Sequence, residues 1–86
     1  MNIYRYMPVW ARSNEGLVLY RCFEVIGHGF TVQSKDFFPL PHEAERAAQL
    51  ESQFHELLFE QAPEQRFPIE PTVQAAIEAF NAHFSG

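Results

Sequence analysis

The chain has 86 residues, a formal net charge of −5, 47% hydrophobic residues and a single cysteine. This length favours one domain, 1–86, with a core of modest size. The lone cysteine excludes an internal disulfide, and the acidic balance argues against nucleic acid because phosphate groups would be repelled.

The first predicted strand covers residues 2–10. Alternation gives this strand an aromatic face, which consists of Tyr4, Tyr6 and Trp10. Pro8 cannot donate a ladder hydrogen bond, so its presence predicts either a strand at the sheet edge or an end of the strand pairing at this residue. A loop over residues 11–16, which contains Arg12, follows the strand.

Residues 17–38 form the clearest pattern, a β-hairpin in which strand-forming residues flank Gly27-His28-Gly29. Gly27-His28 would suit a type II′ turn, and His28-Gly29 would suit type I′. A three-residue loop is disfavoured because it would place Glu24 on the same face as Val32.

The two arms of the hairpin differ in pattern. The first arm is apolar on both faces, which predicts a central strand covered on both sides. The second arm alternates, and this predicts an edge strand whose outward-pointing residues are Thr31, Gln33 and Lys35.

Two amphipathic helices follow. The first is predicted over residues 41–61, with Pro41 in its first turn. Its apolar positions recur by threes and fours, at Ala44, Ala47, Leu50, Phe54, Leu57 and Leu58. A proline-rich connection over residues 62–71 leads to a second helix over 71–84. Residues 41–86 carry two arginines against eight glutamates, so the acidic half of the chain is helical.

These elements predict an α+β domain in which a three-stranded antiparallel β-meander (1–38) is followed by two α-helices packed on one sheet face, in the order βββαα. Phe54 and Phe80 are then expected to pack against Phe23 and Val25 of the central strand. The opposite face would carry an aromatic surface, formed by Tyr4, Tyr6, Trp10 and Tyr20 with Arg12 beside it. Such a patch is typical of a protein-binding surface, although a partly solvated face is the alternative.

The sequence contains no clear signature of a catalytic, cofactor or metal site. Its four histidines include no close ligand pair, and Gly27-His28-Gly29 lacks the third glycine of a dinucleotide motif. Cys22 lies in the middle of a predicted strand and is expected to be a small buried apolar residue. We therefore expect no catalytic residue, no cofactor and no metal ligand.

The sequence predicts a small acidic protein–protein interaction module of bacterial type, which binds a protein partner or a second copy of itself. The alternative is an acidic inhibitor or immunity-type protein that blocks a basic partner through its glutamate-rich helices; strong salt sensitivity would favour this alternative. A small enzyme ranks third. No apolar run approaches the ~20 residues of a membrane span and no signal-peptide layout is present, so we expect a cytoplasmic protein without a membrane partner.

Overall fold

The computed structural model describes residues 1–84. Its elements are β1 (Tyr4–Arg12), β2 (Gly16–Val25), β3 (Gly29–Pro39), α1 (Ala44–Glu60), α2 (Pro63–Arg66) and α3 (Val73–Phe84). The strands form one antiparallel sheet in the order β1-β2-β3, which confirms the predicted α+β class and the βββαα order. The last helix begins two residues after Pro71 because Thr72 caps it: the backbone N–H of Ala75 donates to Thr72 Oγ1 at 3.0 Å.

The two long helices cover opposite faces of the sheet, which corrects the prediction that both lie on one face. Helix α1 packs through Phe54 against Phe23, with ring centroids 5.9 Å apart. Helix α3 packs through Phe80 against a buried cluster with Cys22 and Val32. Because Cys22 and Phe23 are neighbours in β2, their side chains point to opposite sides. Strand β2 is therefore central and covered on both faces, as predicted, and we refer to the α1 face and the α3 face.

The connection between α2 and α3 carries the chain from one face to the other around the outer edge of β3. Phe30 and Glu70 exchange two backbone hydrogen bonds, of 2.8 and 2.7 Å, and Arg66 Nε donates to the carbonyl of Gln33 at 3.3 Å. Gly29 makes this approach possible, since a Cβ at this position would stand 2.6 Å from the carbonyl oxygen of Glu70. The connection thus covers part of the outer edge of β3.

The β2–β3 turn contains three residues, 26–28, so both predicted two-residue turns are wrong. Val25 pairs with Gly29, and the N–H of His28 donates to the carbonyl of Val25 at 2.8 Å. Gly27 has φ +84°, the value that the third position of a type II turn requires. This turn places Glu24 on the face of Val32, the arrangement that the sequence pattern disfavoured.

A β-bulge directly after Arg21 shifts the β2–β3 register by one residue at Gln33. The three-residue turn exchanges the faces of the residues between it and the bulge, so Thr31 is buried and not outward-facing as predicted. Gln33, the extra residue of the bulge, is also buried, against its predicted orientation. The Thr31 hydroxyl donates to a backbone carbonyl at 3.1 Å, and Gln33 Nε2 donates to the carbonyl of Phe54 at 3.2 Å. Lys35, beyond the bulge, is exposed as predicted.

Strand β1 forms the free edge of the sheet within residues 1–84, which confirms the prediction from Pro8. The N–H of Ile26 donates to the carbonyl of Ile3 at 2.9 Å. The odd-numbered residues of β1 therefore bond to β2, and the even-numbered residues direct their backbone groups outward. Pro8 belongs to the outward set, so it removes one donor from the free edge without weakening the β1–β2 ladder. Edges interrupted in this way resist pairing with another chain.

Candidate functional site

The structure divides the predicted aromatic surface between the two faces. Tyr4, Tyr6 and Trp10 lie on the α1 face, because the even-numbered residues of β1 pair with the odd-numbered residues of β2. Tyr20 lies on the α3 face, where Asn81 Nδ2 donates to its hydroxyl at 3.1 Å. The expectation of one open surface containing all four aromatic residues is therefore wrong.

The two tyrosines of the α1 face are held by contacts within the fold. The Tyr4 hydroxyl donates to a carboxylate oxygen of Glu64 at 2.8 Å, and the Tyr6 ring lies 5.1 Å from the ring of Phe54. Trp10 differs from them, since 53% of its surface remains exposed. Of Tyr4, Tyr6 and Trp10, Trp10 presents the most surface to a partner.

A cleft of about 270 Å³ opens beside Trp10, between the sheet and the first half of α1. We call it the Trp10 cleft; its lining residues are Trp10, Leu17, Leu19, Phe38, His42, Ala47 and Glu51. Most of the wall is apolar, and the ring of Trp10 lies 5.6 Å from that of Phe38. Arg12 lines a neighbouring, more polar depression of about 450 Å³ together with Ser13, Asn14 and Leu40. The structure thus brings Trp10 and Arg12 to the same end of the sheet, although Arg12 is the last residue of β1 and does not lie in the predicted loop over residues 11–16.

A fully buried arginine lies beneath α1. Arg21 donates through Nε to Asp36 at 2.6 Å and through Nη1 to the Tyr6 hydroxyl at 3.2 Å. Its Nη1 is also 3.0 Å from a carboxylate oxygen of Glu51, and its guanidinium lies 4.5 Å from the ring centroid of Phe54. Burial by itself would lower the pKa of Arg21, but the hydrogen bonds to Asp36 and Glu51 outweigh burial and raise this pKa. Arg21 therefore remains charged and joins α1 to the sheet.

Sequence reasoning missed Arg21 and Glu51 as site residues, although one signal was present. A charged residue in a strand covered on both faces needs a partner inside the protein. The neighbouring strand supplies Asp36, so this ion pair could have been anticipated. Glu51 could not, because its contact depends on which sheet face α1 covers.

The remaining chemistry of the fold is sparse. Burial raises the pKa of the Cys22 thiol to about 11, so Cys22 packs as the protonated, apolar side chain that the sequence predicted. Within residues 1–84, no three His, Cys, Asp or Glu side chains are grouped so that they could hold a metal ion. No helix in this part of the chain is both long and apolar enough to cross a membrane.

Comparison of the chain with protein-family models, with curated proteins and with solved structures finds no match. The geometry alone defines the candidate site, which consists of the Trp10 cleft and the buried ion-pair network beside it.

Proposed function

We propose that the protein is a protein-binding module that receives one side chain of a partner protein in the Trp10 cleft. The observation that carries this proposal is the 53% exposure of Trp10 beside an apolar cleft. A large indole exposed to water gains free energy when a partner covers it, and tryptophan is enriched among the residues that dominate binding energy.

The size of the cleft supports a binding module over an enzyme. Small-molecule sites usually have volumes of roughly 300–1,000 Å³. The Trp10 cleft, at about 270 Å³, lies at the low end of this scale, and its mostly apolar wall suits the insertion of one side chain. Pro8 interrupts the free edge of β1, which favours docking by an inserted side chain over addition of a strand. The absence of enzymatic activity and the cytoplasmic location stay predictions.

Trp10 itself provides the readout for a test, because it is the single tryptophan of the chain. Peptides selected from a displayed library are titrated against the protein while tryptophan emission is recorded. Docking in the Trp10 cleft shields the indole from water and should shift the emission to shorter wavelength. Sedimentation of the free protein separates this case from self-association, because a second copy of the chain would produce a dimer without added peptide.

Two variants complete the test, with binding measured by calorimetry. Trp10→Ala should weaken peptide binding by ~2 kcal/mol or more while the circular dichroism spectrum is kept. Phe59→Ala is the matched control, since Phe59 is 93% exposed on α1 and does not line the cleft. Equal peptide affinity for the parent and Trp10→Ala would reject the proposal, and so would loss of affinity in both variants.

The acidic inhibitor is the second candidate, and it is favoured by the outer surface of α1. Four exposed glutamates near this helix form no ion pair within the described residues; they are Glu43, Glu45, Glu56 and Glu60. A basic partner held by these charges would dissociate as salt rises above ~0.1 M, where charges more than ~10 Å apart are screened. Docking in the apolar cleft should depend far less on salt.

A further inference from the structure

We propose that the side chain received by the Trp10 cleft is a lysine or an arginine, whose apolar stem lies against the cleft wall and whose cationic head lies against the Trp10 indole and the Glu51 carboxylate. This inference rests on the proposed function and specifies the chemistry of the occupant. In this proposal Glu51, the acidic residue that lines the cleft, binds the cationic head of the partner side chain.

The charge beneath the cleft is the first reason. Glu51 lines the cleft and is also 3.0 Å from Arg21 Nη1 in the buried network. Arg21 brings one positive charge to this network, whereas Asp36 and Glu51 bring two negative charges. Asp36, at 2.6 Å from Arg21 Nε, already offsets the arginine. One negative charge remains in excess, and the Glu51 side chain is 52% exposed.

Anionic occupants fit this arrangement poorly. Arg21 is the positive side chain closest to Glu51, but it has 0% exposure and is sealed inside the protein. A carboxylate in the cleft would therefore meet the excess negative charge without reaching the guanidinium. For a cation the accessible charge is the Glu51 carboxylate, whose side chain is 52% exposed. The positive charge of Arg21 lies out of reach of the cleft: Nε and Nη1 are paired with Asp36 and Glu51, and Nη2 is buried without a hydrogen-bond partner among the described residues.

The indole is the second, independent reason. Among the aromatic side chains, tryptophan attracts a cation over its ring face most strongly. Trp10 and Glu51 line the same cleft of about 270 Å³, so one cationic head can contact both. The cleft walls also include Leu17, Leu19 and Ala47, which match the methylene stem that lysine and arginine bury when their heads stay polar.

Three small probes with the same stem test this inference. They are n-pentylammonium, n-pentanol and hexanoate, titrated at mildly alkaline pH, where histidine side chains are neutral. The indole N–H resonance of Trp10 reports binding. We expect the ammonium to bind roughly threefold to tenfold more tightly than the alcohol, and hexanoate to bind more weakly than both.

Two substitutions assign this preference to residues. Glu51→Gln should lower the ammonium-to-alcohol affinity ratio to the part that Trp10 supplies, whereas Glu56→Gln, on the exposed side of α1, should leave it unchanged. Because Glu51 also contacts Arg21, Trp10→Leu provides a second test that leaves the buried network intact. This variant should keep alcohol binding, followed by aliphatic shifts of Leu19, and lower the ratio.

The possible outcomes separate the two proposals. If the alcohol binds at least as tightly as the ammonium, or if both Glu51→Gln and Trp10→Leu keep the parental ratio, the cation inference is overturned while the Trp10 cleft remains a binding site. If selected peptides also leave Trp10 unaffected, the proposed function fails as well.

Discussion

The buried ion pair between Arg21 and Asp36 predicts a large loss of stability when the arginine is removed. It has 0% exposure, and its partner Asp36 is also largely buried, with 17% of its side chain exposed. Removing the arginine leaves the carboxylate without its cation. Arg21→Ala should therefore lower the free energy of unfolding by ~3–5 kcal/mol, as measured by urea denaturation.

A second arginine provides the matched comparison. Arg5 pairs with Glu24 at 3.5 Å, but 68% of its side chain is exposed. Solvent screens such a pair, so Arg5→Ala should cost less than about 1 kcal/mol. Similar losses in the two variants would show that Arg21 is not the buried link between α1 and the sheet.

The buried thiol of Cys22 predicts how the free energy of unfolding changes with pH. Burial raises the pKa of its thiol to about 11, whereas an unfolded cysteine titrates near ~8.5. Between these values the unfolded chain loses the thiol proton and the folded chain keeps it. The stability due to Cys22 is therefore complete below the unfolded pKa and is lost as pH rises through the folded pKa.

Urea denaturation under reducing conditions, repeated at increasing alkaline pH, measures this loss. The free energy of unfolding of the parent should fall more steeply with pH than that of Cys22→Ala, which lacks the thiol. Parallel pH profiles would mean that the thiol ionises as easily in the folded protein as in the unfolded chain.

At the scale of elements, α1 depends on a single aromatic anchor. Phe54 is the one buried side chain that α1 contributes among the described residues, and it contacts Phe23, Tyr6 and Arg21. Phe54→Ala should cost ~3–5 kcal/mol of stability in thermal or urea unfolding.

The same helix provides the control for this prediction. Phe59 is 93% exposed, so Phe59→Ala should change the free energy of unfolding by no more than about 0.5 kcal/mol. If Phe54→Ala melts as the parent does, α1 is not anchored to the sheet in this way.

Strand β1 provides a prediction for association. Pro8 removes an outward backbone donor in the middle of the free edge, so Pro8→Thr restores a continuous edge and should promote self-association. Sedimentation velocity at increasing concentration measures this change. Pro71→Thr, at an exposed proline outside the sheet, should remain at the parental oligomeric state. An unchanged sedimentation coefficient for Pro8→Thr would show that the edge is protected by something other than proline.

At the scale of the whole molecule, the elements and their order could be predicted because periodicity, proline positions and apolar arms are local signals. The path of the chain could not. The two faces of β2 are both apolar, so the pattern alone does not decide whether the helices share a face. The connection around β3 determines that α3 lies on the opposite face from α1, and Gly29 permits the close approach of Glu70 in this connection.

The errors in the hairpin have a related cause. A turn longer by one residue and a bulge at Gln33 compensate each other, so the register past the bulge is the one that a Gly27-His28 turn would produce. Between the turn and the bulge the faces are exchanged, which buries Thr31 with its hydroxyl bonded to a carbonyl. The positions of Trp10 and Arg12 do not depend on this hairpin, because both residues lie in β1, although the sequence placed Arg12 in a loop. The contact of Glu51 with Arg21 depends on the position of α1, which the sequence did not predict.

The most direct test of binding at the Trp10 cleft is to map backbone and indole NMR shifts while a selected peptide is added. The proposed function predicts that the largest shifts occur at Trp10, Leu19, Phe38 and Ala47, with α3 unaffected. Shifts confined to Glu45, Glu56 and Glu60 on the outer surface of α1, or to α3, would contradict binding at the cleft.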